Sequence, residues 1–192
     1  FSSPMSQALN ESSMIAIGVT SPFLAPIKLC LYLALIFSLP FCFYQAWVYA
    51  SPGLYQSEKN LAKPIFIMVN VLFFSGIIFS YLVVAPVITK FFVSSAPSNI
   101  KIMTDINQYL SFMMKLIFGF GFAFQVPIIT NLLIRTGIKS KAQITSMRPY
   151  LIILFLILAM LLTPPDIFSQ LFLAVPMWLL FELGLALSRD KD

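Results

Sequence analysis

The sequence predicts an all-α, polytopic membrane protein: a bundle of five kinked transmembrane helices forming a single transmembrane domain over residues 1–192. Three observations predict it. First, 59% of the residues are apolar and only 10% are charged, with a mean hydropathy of +0.92. A soluble domain is about 45–50% apolar and about 25% charged, so this chain has too few charges to cover a water-facing surface. Disorder, which requires low hydrophobicity, is excluded on the same ground. Second, the charges fall in clusters separated by long uncharged runs. Third, Pro26, Pro40, Pro86, Pro127 and Pro176 lie within or near those runs. Proline in a spanning helix imposes a kink that neighbouring helices must help satisfy, which predicts a curved, concave bundle.

The elements follow in order. No charge occurs between Lys28 and Glu58, and Ser21-Pro22 reads as an N-cap followed by proline at the first helical position, so a helix is predicted over about 22–49. Lys63 and Lys90 bound the second helix, about 62–89. Asp105 reads as the N-cap of a third helix over about 106–135, and Gly137 as its C-cap. Lys115 is the one charge between Ile106 and Ile134. Two shorter helices, about 149–163 and 167–187, flank the Thr163-Pro164-Pro165-Asp166 turn. Their uncharged runs, Pro149–Leu162 and Ile167–Phe181, give about 21–22 Å of rise against a hydrocarbon core of about 30 Å, which predicts local thinning of the bilayer. The connections at 50–61 and 136–148 and the tail at 188–192, with the helix ends that flank them, hold Lys59, Lys63, Arg135, Lys139, Lys141, Arg148, Arg189 and Lys191. By the positive-inside rule these are cytoplasmic, and segments 1–21, 90–105 and 164–166 lie outside. The chain opens on Phe1 in an outer segment with no signal-peptide pattern, so it reads as a fragment preceded by one further helix, six in all.

Composition removes much chemistry. There is no His, hence no His general base, Ser-His dyad or His metal ligand, and no metal or cofactor site is expected. Cys30 and Cys42 stand about 18 Å apart along one helix and read as small buried apolar residues. The net charge of +5 belongs mostly to the cytoplasmic loops, so it does not imply nucleic acid.

Few polar residues remain to explain. Gln125 lies well inside the third helix, as interhelical glue or as a functional group. Lys115 either snorkels outward or faces an aqueous cleft. Ten residues place it about 80° from Gln125 around the helix, so the two can share a broad polar face. By spacing alone, Glu58 is a solvated loop glutamate, and Asp105 and Asp166 are ordinary helix-end and turn residues. Glu182 belongs with Asp190 and Asp192 to the inner C-terminal region.

Four motifs carry a resemblance: Tyr44-Gln-Ala-Trp47-Val-Tyr49-Ala-Ser-Pro52-Gly-Leu-Tyr55-Gln-Ser-Glu58, Thr104-Asp105-Ile-Asn-Gln-Tyr109-Leu-Ser-Phe112, Phe120-Gly-Phe-Ala-Phe-Gln125-Val-Pro127 and Leu161-Leu-Thr-Pro-Pro-Asp166-Ile-Phe-Ser-Gln170. In order and spacing, from about Ile15 to Arg189, they resemble TatC, the polytopic core subunit of the twin-arginine protein translocase. The resemblance implies a cup-shaped, six-helix protein of the bacterial cytoplasmic membrane with both ends inside, no enzymatic activity and no cofactor. It implies reception of twin-arginine signal peptides on folded cargo, assembly with the single-helix subunits TatB and TatA, with other copies of itself and with membrane lipid, and use of the proton-motive force. Glu58 matches the family's signal-contacting glutamate, and carboxylates suit paired guanidinium groups. Tyr49 matches an aromatic beside that site. A second recognition glutamate belongs to the segment this chain lacks, so the fragment should bind signals poorly. Gln125 stands where many members have glutamate, so this chain lacks an ionisable group there. Asp105 and Asp166 match outer positions, and Pro40 matches a kink. The last two helices resemble the docking face for TatB and TatA, with Thr163, Pro164, Pro165, Asp166 and Gln170 at its outer end.

Three rival readings compete for the same residues. A secondary transporter of small solutes is the main alternative, since kinked helices and a buried polar residue fit it. Against it stand the missing internal repeat and the few midplane charges. An intramembrane aspartyl protease needs two facing carboxylates deep in the membrane, whereas Asp105 and Asp166 lie at helix ends. A lipid-modulating structural protein rests on the short hairpin alone.

Overall fold

The computed structural model describes residues 21–50, 56–95, 105–163 and 167–188. They form α1 (Ser21–Ala50), α2 (Gln56–Phe79), a π-helical segment (Ser80–Val84), α3 (Ala85–Ser94), α4 (Ile106–Ala123), α5 (Val126–Arg135), α6 (Lys141–Ser146), α7 (Arg148–Leu162) and α8 (Ile167–Leu187). The all-helical membrane class expected from the sequence is what is found. Among the described residues, four stretches are long and apolar enough to cross a membrane: Phe23–Gln45, Pro64–Ser94, Ile106–Arg135 and Ile167–Leu187, with α7 as a shorter apolar helix. Many large apolar side chains are exposed, among them Phe23, Leu31, Ile153 and Leu183, which is the outward face that lipid requires.

Prolines set the interruptions. Pro86 lacks the N–H that would bond the Leu82 carbonyl, and its ring crowds that oxygen. The backbone just before it shifts into the π register, Ser80–Val84, and Ser80 is buried. Pro127 acts in the same way on the expected 106–135 helix, which is two helices rather than one. α4 ends at Ala123, a turn follows at Phe124 and Gln125, and α5 starts with Pro127 in its first turn. Pro40, by contrast, lies inside α1, which runs through it as one helix.

Other boundaries also differ. α2 begins at Gln56, six residues before the expected start, and α3 extends to Ser94. The 136–148 connection contains α6, closed by a reciprocal capping box. The Ser140 hydroxyl accepts from the Gln143 N–H at 3.2 Å, and the Gln143 side chain accepts from the Ser140 N–H at 3.0 Å. α8 runs 21 residues, Ile167–Leu187, about 31 Å, and carries on through Glu182 beyond the uncharged run that ends at Phe181. Only α7, with 15 residues and about 22 Å, is short for a bilayer.

The chain divides into two compact units, residues 1–71 with 85–115, and 72–84 with 116–192. In the first, Tyr44 packs edge-on against Phe66 at 6.2 Å between α1 and α2, and Phe92 meets Phe112 at 6.1 Å between α3 and α4. In the second, Phe79 lies 5.8 Å from Phe120 and 5.5 Å from Phe124. Close approach there depends on glycine. A Cβ on Gly76 would sit 2.6 Å from the Phe120 carbonyl oxygen, and one on Gly184 would sit 2.6 Å from the Pro127 Cα, so α5 and α8 touch backbone to backbone. Buried Phe73, Phe120, Leu173, Met177 and Phe181 fill this unit.

Candidate functional site

The residues singled out from the sequence fall into three places. The first is the connection between α1 and α2. Tyr49 lies in the last turn of α1 and is 89% exposed, so its ring is free to meet a ligand. Glu58 lies in the first turn of α2, not in a loop as expected. Ser51 to Tyr55, including the Pro52 and Gly53 of the motif, lie outside the described residues.

The second place is the α4–α5 break. Gln125 is 9% exposed and serves as the N-cap residue of α5, with its backbone in the right-handed helical region. Its side-chain amide donates to the Gly121 carbonyl at 3.5 Å, a long contact. Lys115 is exposed on α4. Of these two residues, expected to share a broad polar face, Lys115 is exposed and Gln125 is buried, and the turn at Phe124–Gln125 lies between α4 and α5.

The third place is the α7–α8 hairpin. Thr163 is the C-cap of α7 and is buried. Its hydroxyl donates to the Ala159 carbonyl at 3.0 Å, and so does its backbone N–H at 3.0 Å. Pro164, Pro165 and Asp166 lie outside the described residues. The Gln170 amide crosses the hairpin to donate to the Leu156 carbonyl at 3.0 Å. Beside it runs an apolar groove of about 300 Å³ between α7 and α8, lined by Ile152, Phe155, Leu171, Ala174 and Trp178 among others. Asp105 caps α4 as expected: its carboxylate accepts from the Asn107 N–H at 3.1 Å. Gly137 also behaves as expected, with φ of 73° just past α5.

Sequence reasoning missed a set of contacts at the other end of the hairpin. Arg148 pairs with Glu182 at 2.8 Å. The Lys141 ammonium donates to the Ser188 carbonyl at 3.2 Å, and the Asn131 amide donates to the Leu187 carbonyl at 3.4 Å. Two side chains from other segments thus satisfy carbonyls that the end of α8 leaves open. Sequence separations of 34, 47 and 56 residues hid these pairs, and the one available signal was Glu182 itself, a lone acid at the end of an apolar run.

Fold and site together define a class: a polytopic helical membrane protein with a polar connection at the junction of its first two helices and a two-helix hairpin bearing an apolar groove. Comparison with known proteins narrows this. The family model described as Sec-independent protein translocase protein (TatC) matches residues 1–176. The Sec-independent protein translocase protein TatC of Azotobacter chroococcum is 49% identical over 184 residues, covering 95% of this chain and 72% of the relative. That of Haemophilus influenzae is 44% identical over 178 residues, covering 93% and 70%. A crystal structure of the twin arginine translocase receptor TatC superposes with a TM-score of 0.85 at 29% identity, covering 96% of this chain and 82% of that one. The chain belongs to the TatC family of Sec-independent protein translocases, a family of membrane transport proteins.

Proposed function

We propose that this chain is the signal-receiving core subunit of a twin-arginine translocase in the bacterial cytoplasmic membrane. The observation that carries the proposal is the α1–α2 connection, where exposed Tyr49 stands in the last turn of one helix and Glu58 falls in the first turn of the next. Two arginines of a signal peptide present forked, permanently charged donors, and a carboxylate is their natural acceptor. Glu58 is that acceptor and Tyr49 offers a face on which a guanidinium can stack. The connection lies on the side that holds Lys59, Lys63, Arg135, Lys139, Lys141 and Arg148, the cytoplasmic side by the positive-inside rule. Cargo signals arrive there.

The α7–α8 groove is the docking place for the apolar helices of TatB and TatA. Its lining is wholly apolar, Gln170 and Thr163 lie toward its outer end, and the short α7 thins the adjoining lipid. Other copies of the chain complete the assembly, and the proton-motive force supplies the energy. No titratable side chain stands at Gln125, so proton uptake at that position is not part of the mechanism in this chain.

Export tests the proposal. In a bacterium lacking its own core subunit, the complete gene product should restore export of a folded twin-arginine cargo, and Glu58→Lys should abolish that rescue without removing the protein from the membrane. Full rescue by Glu58→Lys refutes the role given to Glu58.

A further inference from the structure

Two lysines in the first unit serve no role in the account above. Lys90 on α3 and Lys115 on α4 are both exposed, and neither has an ion-pair or hydrogen-bond partner among the described residues. Each interrupts an otherwise apolar spanning stretch, Pro64–Ser94 and Ile106–Arg135 respectively. An ammonium group in a spanning helix must reach a polar layer or a counter-charge.

The ring contact between Phe92 and Phe112, 6.1 Å centre to centre, sets the relative height of the two helices. Consecutive spans run in opposite directions. Lys90 lies two residues before Phe92, about 3 Å along α3, and Lys115 lies three residues after Phe112, about 4.5 Å along α4. Both displacements point the same way, so the lysines stand at one depth. That depth is not the membrane centre. Lys90 is four residues from the end of α3, and the two spans of 31 and 30 residues rise about 45 Å against a hydrocarbon core of about 30 Å. The Lys115 side chain also leans toward the start of its helix, hence toward that interface.

The two lysines share that depth but not a face: Lys90 stands about 160° from Phe92 around α3, and Lys115 about 60° from Phe112 around α4. On α4 the exposed residues Gln108 and Lys115 are seven apart, with half-buried Ser111 between them on the same stripe. On α3 the exposed stripe is Val87, Lys90 and Ser94. A polar stripe thus descends from the interface to each lysine. Lipid phosphates are the fixed negative charges at that height.

We propose that Lys90 and Lys115, on separate faces at one depth, form a shelf at which each holds the phosphate of an anionic phospholipid in the leaflet at the α3–α4 end of the bundle. The shelf takes a lipid headgroup rather than free phosphate, because the surfaces below both lysines are apolar and accommodate acyl chains.

A photoreactive residue at Val87, next to Lys90 on the same stripe, tests this in liposomes of equal phosphatidylglycerol and phosphatidylcholine. Mass spectrometry identifies the captured lipid. Phosphatidylglycerol should be captured about five-fold over phosphatidylcholine. The preference should fall to parity in the Lys90→Gln, Lys115→Gln double variant and persist when both are arginine. Parity in the unsubstituted protein, or a preference that survives the double glutamine change, overturns the proposal. Inorganic phosphate, compared with chloride at equal ionic strength, should leave the preference intact; its loss would show that free phosphate occupies the site and overturn the lipid assignment. A matching thermal midpoint for the double variant keeps the comparison among folded proteins.

Discussion

Arg148 at the start of α7 and Glu182 near the end of α8 face each other at 2.8 Å, which fixes the end of the last hairpin away from Thr163. The pair is half-exposed, with side-chain exposures of 43% and 26%, so its contribution is that of a partly screened ion pair, about 1 kcal/mol. Glu182→Gln should lower the thermal midpoint in detergent by about 2–4 °C. Arg148→Glu should do at least as much, and exchanging the two residues should recover most of the loss. A double-mutant cycle with no coupling would show that the contact carries no stability.

The backbone contact between α5 and α8 predicts a sharper effect. Alanine at Gly184 would place its Cβ 2.6 Å from the Pro127 Cα, which cannot turn aside as a side chain can. Gly184→Ala should cost about 1–3 kcal/mol, measured by unfolding in detergent. At Gly137 nothing lies within 4 Å of the added Cβ, and the requirement there is the φ of 73°. Gly137→Asn should therefore be nearly neutral and Gly137→Val clearly destabilising, in that order.

The α4–α5 break follows from Pro127, so Pro127→Ala should repair it. The restored N–H can bond the Ala123 carbonyl, and amide exchange over residues 124–128 should slow. Unchanged exchange would mean that Gln125 and its neighbours, not the proline, hold the turn open.

The Thr163 hydroxyl is buried and bonded within its own helix to Ala159, whereas Gln170 reaches across to α7. Thr163→Val should be mild, because the backbone N–H of residue 163 still bonds Ala159. Gln170→Leu removes an interhelical hydrogen bond worth about 0.5–2 kcal/mol in a membrane and should loosen the hairpin, measured by crosslinking between cysteines placed on α7 and α8.

The helices were legible because lipid imposes long apolar runs, and the 3.6-residue repeat has no competitor there. Asp105 and Gly137 were legible because caps are local chemistry. The break at Gln125 was not, since the proline was read as a kink in one helix and not as the start of another. The Arg148–Glu182 pair was not legible because its partners are 34 residues apart, and Arg148 alone reads as a topology marker. The role given to Glu58 came from motif resemblance, because its spacing alone describes a solvated glutamate.

Capture at position 58 tests the central claim most directly. A photoreactive residue there, in the complete gene product in membranes, should crosslink a twin-arginine signal peptide and lose most of that product when the two arginines are replaced by lysines. Equal capture of the twin-lysine signal would contradict the account.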